Sequence, residues 1–218
     1  MEQRSESSVI GSVSSSPSAG ITIATETSDI LLLYPTDPHW VEEVLKHFPL
    51  FVADHAANER KAAAAAMEFV VRYPDRISLV SVAARIAEEE IHHFRLLFDR
   101  MKKEGIPLRP DEKDLYAREL LSQVRTGRKE RLLDRLLIHS LFEMRGIERF
   151  ELLARNHPDK EWQCFYRELS QSERGHSYVF YKEATRLFPL DRIESRFETL
   201  LKIEADICRK MLVTWRFH

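Results

Sequence analysis

Two pairs of residues carry most of the chemical potential of this sequence. Glu90 and His93 sit in "EEEIHHFRLLF" (residues 88–98), and Glu173 and His176 in "SERGHSYVFY" (residues 172–181). A carboxylate and an imidazole three residues apart share one face of a helix, and together they suit a divalent transition metal. The neighbours decide which groups turn inward. Leu79, Ala83, Ile86, Glu90, His93 and Leu97 follow alternating steps of four and three, so Glu90 and His93 lie in an apolar seam. Glu89 and His92 fall on a more polar stripe with Ser78, Arg85 and Asp99, although Val82 and Leu96 share it. Glu88, Glu89 and His92 are therefore expected to face outward. The second pair repeats the first: Tyr166, Leu169, Glu173, His176, Phe180 and Leu187 form one stripe. An ionised acid in such a seam is costly unless it is paired or bound to metal.

Helices must position these groups, and from residue 31 onward the pattern is helical throughout. A short helix begins in "TDPHWVEEVLKHF", with Asp37 as cap and Pro38 at its first position. A long helix over 50–73 contains "ERKAAAAAMEF" and stops at Pro74. Asp75 is expected to cap the next helix, over 75–103, which ends at "EGIP". A long connection with its own helix over 111–124 leads to helices over 130–156 and 160–187, and a last helix spans 192–215. Short turns within each pair and one long crossover between pairs predict an all-α, ferritin-like four-helix bundle with extra short helices at both ends. A cytokine-like bundle needs two long crossovers, and an up-down bundle none. Residues 1–30, rich in Ser and poor in large apolar groups, read as a flexible tail ahead of a domain over 31–218.

Two more acids are expected opposite the pairs. Glu59 shares a stripe with Val52, Ala63, Ala66, Val70 and Tyr73. It lies as far before the first interhelical turn as Glu90 lies after it, so antiparallel helices bring the two to one height. Glu143 matches Glu173 in the same way, whereas Glu148 is displaced by roughly 10 Å at 1.5 Å per residue. A faint repeat, "DHAANER" against "EMRGIER", instead pairs Glu59 with Glu148. Height favours Glu143, and Glu148 stays open. Four carboxylates and two imidazoles are the di-iron or di-manganese constellation. The competing reading is a metal-free helical interaction module, in which Glu90 or Glu173 pairs with Arg60 or Arg149. His55 and His139, one turn before Glu59 and Glu143, could donate to those acids or simply pack.

Composition sets outer limits. The chain has 218 residues, 44% hydrophobic, which suffices for one core. A formal net charge of -2 excludes a globally polyanion-binding protein. Two cysteines, Cys164 and Cys208, are too few for a disulfide framework and suit a reducing cytoplasm. No run reaches membrane-spanning length, and the N-terminus lacks the basic-then-apolar order of a signal peptide. The cluster Arg125, Arg128, Lys129, Arg131 and Arg135 reads as a solvated helix start that would matter only for an anionic substrate.

The stretches "LFVADHAANERKAAAAAMEFV", "EEEIHHFRLLFDRMKKEGIPL", "IHSLFEMRGIERFELLA" and "LSQSERGHSYVFY", with a terminal "WRFH", resemble the tRNA hydroxylases of the MiaE type. The resemblance runs from about residue 34 to the end. It implies a non-haem di-iron monooxygenase that uses dioxygen and two electrons. The substrate would be the isopentenyl chain of a 2-methylthio-isopentenyladenosine beside the anticodon of tRNA. The implied metal positions are Glu59, Glu90, His93, Glu143, Glu173 and His176; the implied partners are tRNA and an electron-transfer protein. Another ferritin-like oxidase or peroxidase is the alternative, although no CxxC of a rubredoxin-type iron site is present.

Overall fold

A computed structural model describes residues 32–217, and the expected tail over 1–30 lies outside the described residues. The described residues form seven helices: α1 (His39–Lys46), α2 (Phe48–Arg72), α3 (Ile77–Glu104), α4 (Leu115–Leu121), α5 (Arg128–Asn156), α6 (Lys160–Leu187) and α7 (Leu190–Lys210). α2 pairs with α3 and α5 with α6, and α4 lies in the single long connection between the pairs. That is the predicted all-α, ferritin-like topology. None of these helices is long and apolar enough to cross a membrane.

Local chemistry sets the ends. Pro49 opens α2, and Pro74 follows its last turn. α3 closes on Gly105 at φ 68, where Ile106 N donates to Met101 O at 2.9 Å in a Schellman arrangement that favours glycine. Asp159 caps α6 through Glu161 N at 2.7 Å. Asp75 does not cap α3: its carboxylate turns to Arg128 at 3.1 Å and Arg76 at 3.5 Å, and Arg76 stands at the cap position without capping the helix through its side chain. The crossover helix is shorter than predicted because Asp114, accepting from Ala117 N at 2.8 Å, fixes its start. α7 ends at Lys210 rather than near 215. Residues 211–217 leave the helix and return to the bundle, where Arg216 O accepts from Trp40 Nε1 at 3.0 Å and Phe217 N donates to Asp54 Oδ2 at 3.0 Å.

The core divides into two apolar slabs. One holds Phe69, Leu79, Ile86, Leu137, Phe180 and Phe197; the other holds Phe51, Val52, Leu97, Phe150, Trp162 and Tyr166. The change of slab falls between Ala56 and Ala66 on α2, Ala87 and Leu97 on α3, Met144 and Phe150 on α5, and Leu169 and Phe180 on α6. All four helices therefore pass through one polar level, which burial of the flanking slabs must support. A separate ionic seam holds α7 against α5. Fully buried Arg145 donates to Glu204 Oε1 through Nη2 at 2.6 Å and Nε at 3.0 Å, and Tyr116 donates to the same oxygen at 3.0 Å. Asp134 accepts from Arg125 and Arg196.

Candidate metal centre

Five of the six predicted residues fall in that interval of their helix, and Glu143 stands at its edge, directly before Met144. Glu59 comes from α2, Glu90 and His93 from α3, Glu143 from α5, and Glu173 and His176 from α6. One ligand atom from each of Glu59, Glu90, His93 and Glu173 lies within 4.8 Å of the others, and the same holds for Glu90, Glu143, Glu173 and His176. Glu90 and Glu173 belong to both groups. Five of the six are buried, and only Glu143 is partly exposed.

The atoms converge without satisfying one another. His93 Nδ1 lies 2.7 Å from Glu173 Oε1, and His176 Nδ1 lies 2.6 Å from Glu173 Oε2 and 2.9 Å from Glu90 Oε1. Yet both Nδ1 atoms, both Glu173 oxygens and Glu90 Oε1 are buried without a hydrogen-bond partner. Such orphaned groups are costly in a protein interior. Donor atoms crowded within 4.8 Å of one another and left unpartnered are what cations between these residues would require. The donor set of carboxylate oxygen and imidazole nitrogen fits divalent iron. The fold and the cluster are compatible with a di-iron centre.

The electrostatics carry the same signature. Burial and the charge of Glu173 push the Glu90 carboxyl well above the usual range, and the same two causes push Glu143 up to about 8. Burial also opposes ionisation of Glu59 and Glu173, but interactions with His55 and His93 on one, and with His176 and His93 on the other, hold both low. Burial would lower the imidazoles, yet the facing carboxylates carry His93 to about 10 and His176 to about 12. Neighbouring acids pushed in opposite directions, facing imidazoles pushed up, make a tightly packed ionisable cluster.

Around the six lies a set of orienting contacts. His55 Nε2 meets Glu59 Oε1 at 2.6 Å, so of its two expected roles it takes that of donor. His93 Nε2 meets Ser172 Oγ at 3.0 Å, and His176 Nε2 meets Glu89 Oε2 at 2.5 Å. Each histidine thus turns Nδ1 to the cluster and Nε2 away from it. Sequence reasoning missed Glu89 and Ser172. Glu89 does face outward by its stripe, but its carboxylate reaches across to α6, a contact that no spacing within one helix records. His139 packs against Phe69, Phe142 and Phe180, and burial and then Arg135 lower it to about 3.

The alternatives raised by the sequence are engaged elsewhere. Glu148 accepts from Thr36 N at 3.0 Å, Thr36 Oγ1 at 2.6 Å and Arg145 Nη1 at 2.5 Å. Arg60 pairs with Asp111, and Arg149 donates to Phe217 O. Of the basic cluster, Arg125, Arg128 and Arg135 pair with Asp134, Asp75 and Glu68. A cavity of about 130 Å³ lined by Trp40, Arg145, Arg149 and residues 211–214 contains none of the six.

Residues 23–218 match the family model of tRNA-(MS2IO6A)-hydroxylase (MiaE). The chain belongs to the MiaE family. A relative from Pseudomonas putida, named tRNA 2-(methylsulfanyl)-N(6)-isopentenyladenosine(37) hydroxylase, is 31% identical over 190 residues, covering 87% of this chain and 92% of its own. One of the same name from Salmonella typhimurium is 26% identical, covering 84% and 86%. Among solved structures, a Synechococcus protein described as having aldehyde deformylating oxygenase activity superposes with a TM-score of 0.82. It is 33% identical over 86% of this chain and 94% of that one. MiaE membership and this likeness place the orphaned cluster in a ferritin-like fold shared with an oxygenase.

Proposed function

We propose that this MiaE-family chain is a di-iron monooxygenase that hydroxylates the isopentenyl group of a 2-methylthio-isopentenyladenosine in tRNA. The observation that carries the reading is the single polar level, where four carboxylates and two imidazoles from four helices converge with unpartnered buried atoms. Glu59, Glu90, His93, Glu143, Glu173 and His176 would hold two irons; Glu90 and Glu173 belong to both groups of converging atoms. When bound, the irons supply the means to insert one atom of dioxygen into a C–H bond while two external electrons and two protons reduce the other to water. An electron-transfer partner supplies those electrons.

The chain's own residues do the rest. Glu89, Ser172 and His55 hold the two ring nitrogens and the Glu59 carboxylate in place. The apolar slabs above and below keep water from the reacting centre. The modified adenosine leaves its stack to reach that depth. With two free cysteines and a tRNA substrate, the place of action is the cytoplasm.

The test is incubation of the iron-loaded protein with tRNA bearing the unhydroxylated nucleoside under ¹⁸O₂ and a chemical reductant, followed by nucleoside mass analysis. A product heavier by one ¹⁸O, dependent on iron, is the expected result. An unchanged nucleoside with fully loaded enzyme would overturn the substrate assignment. The likeness to the Synechococcus oxygenase favours one second reading, oxygenation of an aliphatic aldehyde, and hydrocarbon release from such an aldehyde would establish it.

A further inference from the structure

The terminal "WRFH" is the sequence feature that the proposed reaction leaves unused, and the structure brings it against His55. His55 is wholly buried and donates through Nε2 to Glu59 at 2.6 Å, since a carboxylate only accepts. A ring in that role is normally fixed by a second hydrogen bond at its other nitrogen. Here Nδ1 is buried without a partner. Stacking takes its place: the Phe217 ring lies 5.0 Å from the His55 ring at an interplanar angle of 17°, with Tyr166 at 5.8 Å and 27°.

Phe217 is itself held tightly. Its N donates to Asp54 Oδ2 at 3.0 Å, its carbonyl accepts from Arg149, and its ring stacks on Phe150 at 5.0 Å. Gly146 makes room for it, because a Cβ there would lie 3.3 Å from Phe217 Cζ. Every one of these contacts arises where the chain leaves α7 and returns to the bundle one turn from Glu59.

We propose that Phe217 is a positioning residue for the metal centre, fixing the His55 ring by stacking so that His55 holds Glu59 in its ligating orientation. The inference rests on the metal-centre reading above. Glu59 belongs to only one of the two ligand groups, so the effect is one-sided. In the full chain, Phe217→Leu keeps an apolar side chain but removes the nearer of the two stacked rings. Two measurements apply: iron retained per chain against a ferrous chelator, and mobility of the His55 ring by ¹³C relaxation in the metal-free protein. The expected result is a more mobile His55 ring and one of two irons lost at roughly tenfold lower chelator concentration, the other unchanged. Gly146→Ala, which presses on the Phe217 ring without removing it, shifts both in the same direction by less, and decides the matter should Phe217→Leu not fold. Wild type with two irons and variants with the same iron retention and ring mobility would overturn this inference alone. Wild type without iron would overturn the metal-centre reading and this inference with it.

Discussion

Glu143 and Glu148 lie five positions apart on α5, and the structure gives them opposite predicted phenotypes. Glu148 is a structural acid. It accepts from the backbone and hydroxyl of Thr36 and from Arg145, and its side chain is 26% exposed. A hydrogen bond to a charged group contributes about 1.5–3 kcal/mol. Arg145 retains Glu204 when Glu148 is removed, so the loss stays below that for an abandoned buried charge. Glu148→Ala should therefore cost about 2–3 kcal/mol, which for a chain of this size lowers Tm by about 4–12 °C. Its iron content should be unchanged. Glu143→Ala should do the reverse. Burial and Glu173 push its carboxyl up to about 8, so metal-free protein loses only a crowded acid and its Tm holds or rises. Its iron content should fall. The assay is scanning calorimetry of chelator-treated protein beside iron analysis of reconstituted protein. Loss of iron in Glu148→Ala with Tm preserved, or two irons retained by Glu143→Ala, would refute the reasoning.

Three further outcomes follow from the geometry. Glu204→Ala leaves the fully buried Arg145 guanidinium short of its main counter-charge, at a cost of about 3–5 kcal/mol and a Tm fall of about 6–20 °C; a fall under 2 °C by calorimetry would contradict it. Asp134 is opposed by burial, but Arg125 and Arg196 hold it below its ordinary value. A depressed acid contributes stability above its unfolded pKa and loses it as pH falls through the folded one. Wild type should thus lose stability relative to Asp134→Asn as pH drops below about 4, in urea titrations at stepped pH. Iron at a hundred times its Kd should stabilise the folded state by about 2.7 kcal/mol. That raises Tm by about 5–11 °C, and thermal scans with and without chelator read it directly.

The parts of the site that sequence made legible are those governed by one helix or one turn. Glu90 and His93 were separable from Glu89 and His92 because their stripe is apolar for six positions. The place of Glu143 beside Glu90, Glu173 and His176 followed from counting residues back from a turn, since helical rise converts count into height. Contacts between helices left no such trace. Glu89 looked solvent-facing and is, at 37% exposure, yet it still reaches His176. Glu204 and Asp134 lie in strongly charged helical sequence and gave no sign of complete burial; Tyr116 and Arg145 enclose one, and Arg125 and Arg196 the other. The apolar residues Met211, Leu212, Val213 and Trp215 read as helix, and the chain leaves the helix because tertiary anchors at Trp40 and Asp54 outweigh propensity. Asp75 offered a good cap and was drawn instead to Arg128 on α5.

The most direct test of the account is iron per chain after anaerobic reconstitution with ferrous iron, for wild type and for Glu90→Ala. Glu90 serves both ligand groups, so the prediction is two irons in wild type and neither held stoichiometrically in the variant. Wild type without stoichiometric iron, or a variant that keeps both, would contradict it.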